Sequence, residues 1–377
     1  MEEVVIIDAI RTPIGRRNGM FAETHPVDLL LPILQELVNR NSIESDEIDD
    51  VITGCATMTD EQGGNIARFA ALAAGYPVDI PAYSINRLCA SSQQAIHNGA
   101  QAILAKDAEM VVACGVENMS RVPMGSDIGN FSDTLLNEHS IVPQGFSAEI
   151  IAGKWELTRD ELDEYAYLSH QRAIKATDEG YFKREIIPFT LADGVTVTED
   201  EGLRRDTSVE KLSQLTASFQ ADSGLVTAGN SSQISDGASG LLLMSKTKAN
   251  ELGLKPRARI IARIEVGYDP VEMLTGVIPA TKLVLKKAGL SLEEMDAIEI
   301  NEAFASVVKA WEKEMQANMN KVNSRGGAIA LGHPLGASGA RLATSLLHTL
   351  EDLEGRYGLQ VMCIGFGMAT ATIIERM

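Results

Sequence analysis

Cys89 is the residue whose surroundings most clearly suggest chemistry. An extended segment, 80–88, leads into it, and a helix predicted over 92–104 begins just after it. The N-terminus of a helix carries unpaired N–H groups and partial positive charge, which lower the pKa of a thiol and can hold an oxyanion. An isolated cysteine is more often a small buried side chain, so Cys89 becomes a candidate nucleophile only with support from other segments.

His333 is a second candidate, because it lies in the glycine-rich segment 323–341 just before another predicted helix. Glycine permits close approach of the backbone to a ligand, and histidine supplies a base or a hydrogen-bond donor near neutral pH. A phosphate-binding loop is the alternative interpretation. No Lys-Ser or Lys-Thr pair follows the glycines, so a Walker-type loop does not fit.

Two further polar residues lie at the ends of predicted strands. Asn301 follows the strand predicted over Ala297–Ile300, and its amide could orient a water molecule. Cys363 lies in the segment 362–367, whose glycines let a main chain with free N–H groups approach a substrate. Ligand sites of α/β folds lie at the carboxyl ends of strands, and all four candidates occupy such an end.

The composition limits the classes of function that the chain can serve. Its 377 residues include 33 Lys or Arg and 52 Asp or Glu, which gives a net charge of −19. A nucleic-acid-binding protein needs a basic face, so this balance argues against a nucleic-acid partner. An anionic substrate would need local basic groups or backbone N–H donors.

The sequence also predicts where the protein works. Its first residues lack a basic segment followed by a long apolar one, and no apolar run approaches the ~20 residues that span a membrane. The last residues form no peroxisomal signal. Four widely spaced cysteines without a C-x-x-C pair indicate reduced thiols and argue against zinc. We therefore expect a cytoplasmic protein without membrane insertion and without a metal site.

The chain contains an internal repeat. Segment 47–56 resembles segment 294–303, and 88–92 resembles 335–339, both at an offset of 247 residues. Cys114 pairs with Cys363 at an offset of 249. Three matches in order at nearly constant spacing predict a duplicated domain.

Strands and helices alternate in both copies, which predicts an α/β fold. The first copy has predicted elements over 4–7, 27–40, 51–54, 92–104 and 110–113, and the second over 260–264, 283–288, Ala297–Ile300, 339–350 and 360–364. We predict an N-terminal half over 1–118 with about 236–252, an inserted loop domain over 119–235, and a C-terminal half over 253–377. The insert includes an amphipathic helix, 158–179, that opens with a capping box.

Together the four chemical segments resemble the thiolases. The likeness rests on Asn86-Arg87-Leu88-Cys89, Asn301-Glu302-Ala303-Phe304-Ala305, Gly332-His333-Pro334 and Cys363-Ile364-Gly365, and it extends to Asp8-Ala9-Ile10-Arg11-Thr12-Pro13-Ile14-Gly15 and Thr227-Ala228-Gly229-Asn230-Ser231-Ser232. It covers essentially the whole chain. The resemblance implies a thiolase-like fold, in which two duplicated α/β halves form an α-β-α-β-α layered core with an inserted loop domain.

The resemblance also implies a role for each candidate. Cys89 is expected to accept the acyl group, and Cys363 to exchange protons with the substrate. His333 is expected to activate Cys89 and to contribute to an oxyanion hole, which a water molecule held by Asn301 completes. The backbone N–H groups of Cys89 and Gly365 are expected to form a second oxyanion hole.

Coenzyme A is expected as a substrate, and no resident cofactor is implied. By the same resemblance, Ser232 contacts the pantetheine chain, Ala303 and Phe304 line its tunnel, and Arg204 lies near the nucleotide end. A basic pair at 204–205 would supply the local positive charge that the acidic chain otherwise lacks.

Three positions depart from the pattern common among thiolases. Phe366 stands where many relatives have glycine, Ser92 replaces a common glycine, and Gln144 stands where relatives often have methionine. These changes leave the expected catalytic residues intact and bear on the preference for acyl chains.

Local sequence favours a degradative activity, the cleavage of 3-ketoacyl-CoA by CoA in fatty-acid β-oxidation. The first alternative is an acetoacetyl-CoA thiolase that condenses two acetyl-CoA molecules with the same residues. Ketoacyl synthases lack the second cysteine, so Cys363 argues against them. A silent acyl-CoA-binding or assembly protein is a further alternative. We expect a homodimer or homotetramer, with a multifunctional β-oxidation subunit as a possible partner.

Overall fold

The first part of the chain builds an α/β unit from alternating strands and helices. The computed structural model describes residues 2–221 and 223–377. Its first elements are β1 (Val4–Arg11), β2 (Gly15–Arg16), α1 (Pro26–Asn39), β3 (Asp50–Gly54), α2 (Ile66–Ala73), β4 (Ala82–Ile85), α3 (Ser91–Ala105) and β5 (Met110–Asn118). The five elements predicted for the first copy are all present.

The inserted segment consists mainly of helices. It contains α4 (Asp133–Glu138), α5 (Gln144–Lys154), α6 (Arg159–Asp178), β6 (Phe189–Thr190), β7 (Thr196–Val197) and α7 (Val209–Ser213). The predicted capping box is present at the start of α6, where the side chains of Thr158 and Glu161 each accept a backbone N–H. These bonds satisfy N–H groups that the first turn of a helix leaves unpaired.

The last part of the chain repeats the order of the first. It contains β8 (Ser235–Ser245), α8 (Lys246–Glu251), β9 (Ala258–Gly267), α9 (Val277–Ala288), β10 (Ala297–Ile300), α10 (Ala305–Met315), α11 (Ala328–Leu331), α12 (Leu335–Asp352), β11 (Tyr357–Ile364) and β12 (Met368–Arg376). The five elements predicted for the second copy are therefore present as well.

Nine strands form a mixed sheet in the order β10-β11-β12-β9-β1-β8-β5-β3-β4, to which β2 adds by pairing with β8, while β6 and β7 form a separate two-stranded sheet. The arrangement is duplicated, because β3-β5-β8-β1 from the first half corresponds to β10-β11-β12-β9 from the second. Where the second half lacks a counterpart of β4, Val322 forms a parallel bridge to Ile298 at the edge. The shared strand order confirms the duplicated α/β fold class.

Helices α3 and α12 pack against each other at the centre, between the two halves of the sheet. On β5, Val112 and Cys114 face the layer of α1, whereas Val111 and Ala113 face α3 and α12. This alternation is the one expected of a strand that is buried on both faces. Helices α1 and α2 cover the outer face of the first half, and α9 covers that of the second. The layers therefore run α-β-α-β-α.

The two central helices approach closely because small residues line their contact. A side chain at Gly339 would overlap the backbone of Gln93, and one at Gly115 would overlap the carbonyl of Gly336. Ser92, the predicted departure from glycine, is buried here, and its Oγ accepts the N–H of Ala340 at 2.9 Å. At this position a hydrogen bond from Ala340 to Ser92 therefore joins α12 to α3, in place of the close packing that a glycine would allow.

Two general features accompany this fold. All four cysteines are buried and free. Over residues 2–221 and 223–377, no helix combines the length and the apolar character that crossing a membrane requires. The predicted domain boundaries at 118, 235 and 252 stay a prediction.

Candidate active site

The carboxyl ends of β10 and β11 and the loop before α12 bring three of the predicted residues into contact. The side-chain amide of Asn301 lies between the other two, with its Nδ2 3.4 Å from Nε2 of His333 and 3.8 Å from Sγ of Cys363. All three side chains are buried. Cys89 lies in the same buried cluster as Met362 and Ile364, the neighbours of Cys363. Burial, followed by the proximity of Cys89, raises the pKa of Cys363 to about 12.

Cys89 lies in a tight turn that leads directly into α3. Residues Leu88–Ala90 form one turn of 3₁₀-helix, and Leu88 has a φ of 48°, a left-handed conformation that is strained for a bulky side chain. The side chain of Asn86 accepts the N–H of Leu88 at 2.8 Å, and Ser91 Oγ accepts that of Arg87 at 2.9 Å. These bonds hold the turn that places the thiol at the start of α3.

The Cys89 thiol is neutral in the resting site. Burial raises its pKa to about 11, although hydrogen bonds from the N–H of Gly365 and the side chain of Gln144 lower it. The expectation that the helix N-terminus lowers the pKa below its usual value is therefore wrong. The thiol is only 4% exposed, and the loss of hydration outweighs the nearby donors.

Two bonds to Ser338 fix the tautomer of His333. Its Nδ1 lies 2.6 Å from Ser338 Oγ, and that hydroxyl lies 2.8 Å from the carbonyl of Pro334. Since Ser338 donates its one proton to the carbonyl, it must accept a proton from Nδ1. Burial, followed by the charge of Arg341, lowers the pKa of His333 to about 3. His333 is thus a neutral imidazole whose Nε2 lone pair faces the site.

Gly332 allows the chain to turn into His333. It has a φ of 106°, and a side chain there would overlap Ser235 Oγ. That same hydroxyl lies 3.2 Å from the backbone nitrogen of His333 and accepts its N–H. Glycine is needed at this position for both the backbone angle and the close approach.

The turn between β11 and β12 supplies a backbone donor. Burial raises the pKa of Cys89, and the backbone N–H of Gly365 in this turn lowers it. Phe366 follows with a φ of 62°, an unusual angle for an aromatic residue, and its ring meets that of Phe131 edge to face with centroids 5.9 Å apart. Phe366, where many thiolases have glycine, is exposed and directly follows Gly365 in this turn.

Sequence reasoning missed Glu117, a fully buried carboxylate at the end of β5. It accepts N–H groups from Ala56 at 2.8 Å and Thr57 at 3.0 Å in the first half. It also accepts the N–H of Gly336 at 2.8 Å, at the start of α12. Glu117 therefore ties the segment that holds His333 to the first half. In the sequence, the signal for Glu117 was an acidic residue near the end of an otherwise apolar strand.

Glu302 is a second buried carboxylate whose role as a connector was missed. It accepts hydroxyl protons from Tyr165 at 2.8 Å and Ser169 at 2.7 Å, both on α6. It also accepts from the side chain of Asn323 at 3.1 Å. Because Glu302 follows Asn301 directly, these bonds fix Asn301 against α6.

Three of the four residues predicted to bind coenzyme A lie together. The N–H of Ser232 donates to the carbonyl of Ala303 at 2.9 Å, and the neighbouring Phe304 packs edge to face on Phe219. Arg204 lies apart from this group at an exposed position, where its N–H donates to Nδ1 of His170.

Comparison with known proteins adds an independent result. The description "Thiolase, N-terminal domain" matches residues 4–247, and "Thiolase, C-terminal domain" matches residues 254–376. A steroid 3-ketoacyl-CoA thiolase of Mycobacterium tuberculosis is 47% identical over 390 residues, covering 100% of this chain and 95% of the relative. A 3-ketoacyl-CoA thiolase of Vibrio vulnificus is 46% identical over 388 residues, covering 100% of both.

Solved structures of similar proteins share the whole architecture. The acetyl-CoA acetyltransferase of Bacillus anthracis superposes with a TM-score of 0.93 at 41% identity, covering 100% of this chain and 99% of that one. Human mitochondrial 3-ketoacyl-CoA thiolase superposes with a TM-score of 0.92 at 37% identity, with the same coverage. The α-β-α-β-α arrangement predicted from the sequence is therefore shared with solved thiolases.

Proposed function

This chain belongs to the thiolase family and is an acyltransferase, and we propose that it cleaves 3-ketoacyl-CoA with CoA in fatty-acid β-oxidation. The products are acetyl-CoA and an acyl-CoA shortened by two carbons. The observation that carries the proposal is the amide of Asn301, which contacts both His333 and Cys363 beside the thiol of Cys89. One site thus holds a nucleophile, a neutral base and a second thiol.

In the first half-reaction, the sulfur of Cys89 attacks the 3-keto carbonyl while its proton moves to Nε2 of His333. The carbon–carbon bond next to that carbonyl then breaks, and the electron pair leaves as the enolate of acetyl-CoA. Cys363 donates its proton to the enolate carbon, which releases acetyl-CoA. The shortened acyl group remains on Cys89 as a thioester.

In the second half-reaction, the thiolate of Cys363 removes the proton from the thiol of an incoming CoA. The CoA sulfur attacks the acyl group on Cys89 and forms the new acyl-CoA. His333 returns its proton to the departing sulfur of Cys89. Both thiols and the imidazole are then back in their starting states.

The pKa values of the resting site agree with this order of events. A Cys89 thiol with a pKa of about 11 and a His333 with a pKa of about 3 keep the proton on sulfur until substrate is attacked. Proton transfer therefore accompanies attack, when negative charge moves from sulfur to the carbonyl oxygen. In this proposal the backbone N–H groups of Cys89 and Gly365 form the oxyanion hole that receives that charge.

We further propose that protonated Nε2 of His333, together with a water molecule on the amide of Asn301, holds the oxygen of the thioester enolate. Ser232, Ala303 and Phe304 line the path of the pantetheine chain. Arg204, exposed at the surface, offers positive charge to the nucleotide end of CoA. CoA enters as a substrate, and the proposed steps use no resident cofactor.

The second candidate function is the condensation of two acetyl-CoA molecules to acetoacetyl-CoA. It is favoured by the similarity to the acetyl-CoA acetyltransferase of Bacillus anthracis. Condensation runs the same steps in reverse, with Cys363 removing the proton from the acetyl methyl group. Acyl-chain length, rather than the catalytic residues, separates the two candidates.

The two candidates are tested by CoA-dependent thiolysis of acetoacetyl-CoA beside a long-chain 3-ketoacyl-CoA, followed by loss of the enolate absorbance. We expect faster cleavage of the longer substrate, abolished in Cys89→Ala. Activity confined to the four-carbon substrate would favour the acetoacetyl-CoA candidate. Absence of cleavage with either substrate would contradict both.

We also propose a cytoplasmic homodimer or homotetramer, with a multifunctional β-oxidation subunit as a further partner. Four free, buried thiols suit a reducing compartment. Light scattering of the purified chain, alone and with the candidate partner, tests the assembly, and a monodisperse monomer would contradict it.

A further inference from the structure

The buried carboxylate of Glu117 lies between the segment that carries the proposed nucleophile and the segment that carries the proposed base. Its Oε1 accepts the N–H of Thr57 at 3.0 Å and the side-chain amide of Gln62 at 2.7 Å. Its Oε2 accepts the N–H groups of Ala56 and Gly336, each at 2.8 Å. A carboxylate offers about four acceptor sites, so these donors fill them and fix the orientation of the side chain.

The bond to Gly336 fixes the start of α12, which directly follows the loop of His333. Pro334 precedes this helix, and a proline side chain has no polar atom with which to cap it. Glu117 therefore supplies an acceptor to the first turn from a distant part of the chain, at the positive end of an 18-residue helix. A Cβ at Gly336 would stand 2.7 Å from Oε2 of Glu117, so glycine is what permits this approach.

Two further bonds connect the same carboxylate to the turn that holds Cys89. Ala56, which donates its N–H to Glu117, accepts Nδ2 of Asn86 at its carbonyl at 2.8 Å. Oδ1 of Asn86 in turn accepts the N–H of Leu88 at 2.8 Å, the residue with the left-handed backbone angle. Glu117 is thus joined to the turn of the nucleophile through one backbone residue and one side chain.

We propose that Glu117 is a positioning residue, which sets the distance between the sulfur of Cys89 and Nε2 of His333. The inference rests on the proposed function, in which a proton passes between these two atoms. Glu117 acts on the sulfur through Ala56 and on the imidazole through the start of α12. Because proton transfer needs hydrogen-bond contact, a displacement of about 1 Å between the two segments would slow the step by about 10²-fold.

The rate at which an acyl-CoA acylates Cys89 measures this step in the full-length protein, by rapid quenching followed by mass spectrometry. Glu117→Gln keeps the size of the side chain but replaces one acceptor oxygen with an NH₂ group, which cannot accept an N–H. We expect acylation at saturating acyl-CoA to slow at least tenfold, with the half-saturating concentration unchanged. Rates are expressed per folded protein, and circular dichroism measures the folded fraction.

Asp49→Asn is the matched control, because it changes a carboxylate that joins β3 and β5 at their other ends. Oδ2 of Asp49, directly before β3, accepts the N–H groups of Glu109 at 2.7 Å and Met110 at 2.9 Å, where β5 begins. The control loses the same kind of bond between the same two strands, away from both segments of the site. It should therefore be acylated at the wild-type rate.

A second comparison separates positioning from a general loss of structure. In a His333→Ala background, Glu117→Gln should leave the remaining acylation rate unchanged within about twofold, because the base whose position it sets is gone. Equal slowing in both backgrounds overturns the inference, and so does a wild-type rate in folded Glu117→Gln.

Asn86→Ala is the second variant, should Glu117→Gln fail to fold. The side chain of Asn86 is exposed, and its loss breaks the connection between Ala56 and Leu88 without changing the buried carboxylate. We expect the same slowing in the wild-type background and the same insensitivity in the His333→Ala background. If only this variant folds, a wild-type rate in Asn86→Ala overturns the inference.

The same measurements distinguish this inference from the proposed function. If wild-type Cys89 accepts no acyl group, or if His333→Ala is acylated as fast as the wild type, the proposed function fails whatever Glu117→Gln shows. If acylation of Cys89 depends on His333 and Glu117→Gln behaves like the wild type, the role of Glu117 alone fails.

Discussion

At the scale of single residues, the proton on His333 decides which nitrogen can act as a base. The Oγ of Ser338 accepts a hydrogen bond from the N–H at Nδ1 and donates one to the carbonyl of Pro334, which leaves the Nε2 lone pair facing the site. Ser338 acts through His333 and does not itself reach the substrate. It is a positioning residue.

We predict that Ser338→Ala lowers kcat by about tenfold or more, because the tautomer with the proton on Nε2 becomes accessible and cannot accept a proton from Cys89. KM for CoA should change little, since Ser338 lies away from the predicted CoA residues. The measurement is steady-state thiolysis together with ¹⁵N NMR of the imidazole. The control Thr344→Val removes another buried α12 hydroxyl, which bonds only to Ala340. An unchanged kcat and tautomer in Ser338→Ala would refute the assignment.

The sequence predicted which residues meet in the site better than it predicted the burial and the pKa of their side chains. Spacing and motif placed Asn301, His333 and Cys363 at strand ends. Asn301 and Cys363 do lie at strand ends, whereas His333 meets them from the loop between α11 and α12. The pKa of Cys89 was predicted in the wrong direction, because the depth of burial is set by the inserted segment and the second half. Glu117 and Glu302 were missed for a related reason, since their N–H and hydroxyl partners are distant in sequence.

At the scale of elements, α3 holds the first half to the strands of the second. His97 on α3 lies 2.6 Å from the carboxylate of Glu265 on β9 and 2.7 Å from Thr372 Oγ1 on β12. Gln93, one turn earlier, donates to the same hydroxyl at 2.7 Å. Cys89 lies in the turn just before this helix, so these bonds also help to fix its position.

We predict that His97→Ala lowers the free energy of unfolding by about 3 kcal/mol, because it leaves a cavity and removes a partner from the buried Thr372 hydroxyl and from the partly exposed Glu265 carboxylate. Urea denaturation of the folded variant measures this loss. His139→Ala, at an exposed position, should cost less than about 0.5 kcal/mol. Equal stability of the two variants would contradict the bridging role of His97.

Glu299 on β10 makes the stability of the folded protein depend on pH. Its carboxyl group is buried 3.7 Å from Arg341, and burial raises its pKa to about 8. In the unfolded chain a glutamic acid titrates near pH ~4.3. The folded protein therefore binds a proton that the unfolded chain loses, so stability falls as the pH rises between these values.

We predict that Glu299→Gln removes this dependence. Between pH 5 and pH 8 the wild type should lose on the order of 3–4 kcal/mol relative to the variant. Urea unfolding at several pH values measures the difference, and Glu44→Gln at an exposed site serves as the matched control. Parallel stability curves for the wild type and Glu299→Gln would show that the carboxyl group is not perturbed.

The periodicity of apolar residues predicted the long strands and helices. It did not predict the elements whose formation depends on pairing with other strands. The ten predicted strands and helices of the two copies are all present. The strand β12 and the bridge at Val322 were not predicted, because each depends on pairing with β11, β9 or β10. Helix α5, which carries Gln144, begins at a proline in a polar segment whose pattern gives little signal.

At the scale of the whole molecule, the site is assembled from parts that lie far apart in the chain. The first half supplies Cys89, and the second supplies Asn301, His333 and Cys363. Glu117 joins the two halves through N–H groups from both. The two halves therefore share a duplicated arrangement of strands, and they carry different polar residues at the equivalent strand ends.

The division of labour between two thiols is the central claim, and mass spectrometry of a Cys363→Ala variant tests it most directly. The variant is incubated with an acyl-CoA, and in parallel with a 3-ketoacyl-CoA plus CoA. We predict an acyl group on Cys89 from the acyl-CoA and a loss of carbon–carbon cleavage by a factor of about 10³ or more. Wild-type cleavage in Cys363→Ala, or an acyl group found on Cys363 in the wild type, would contradict the account.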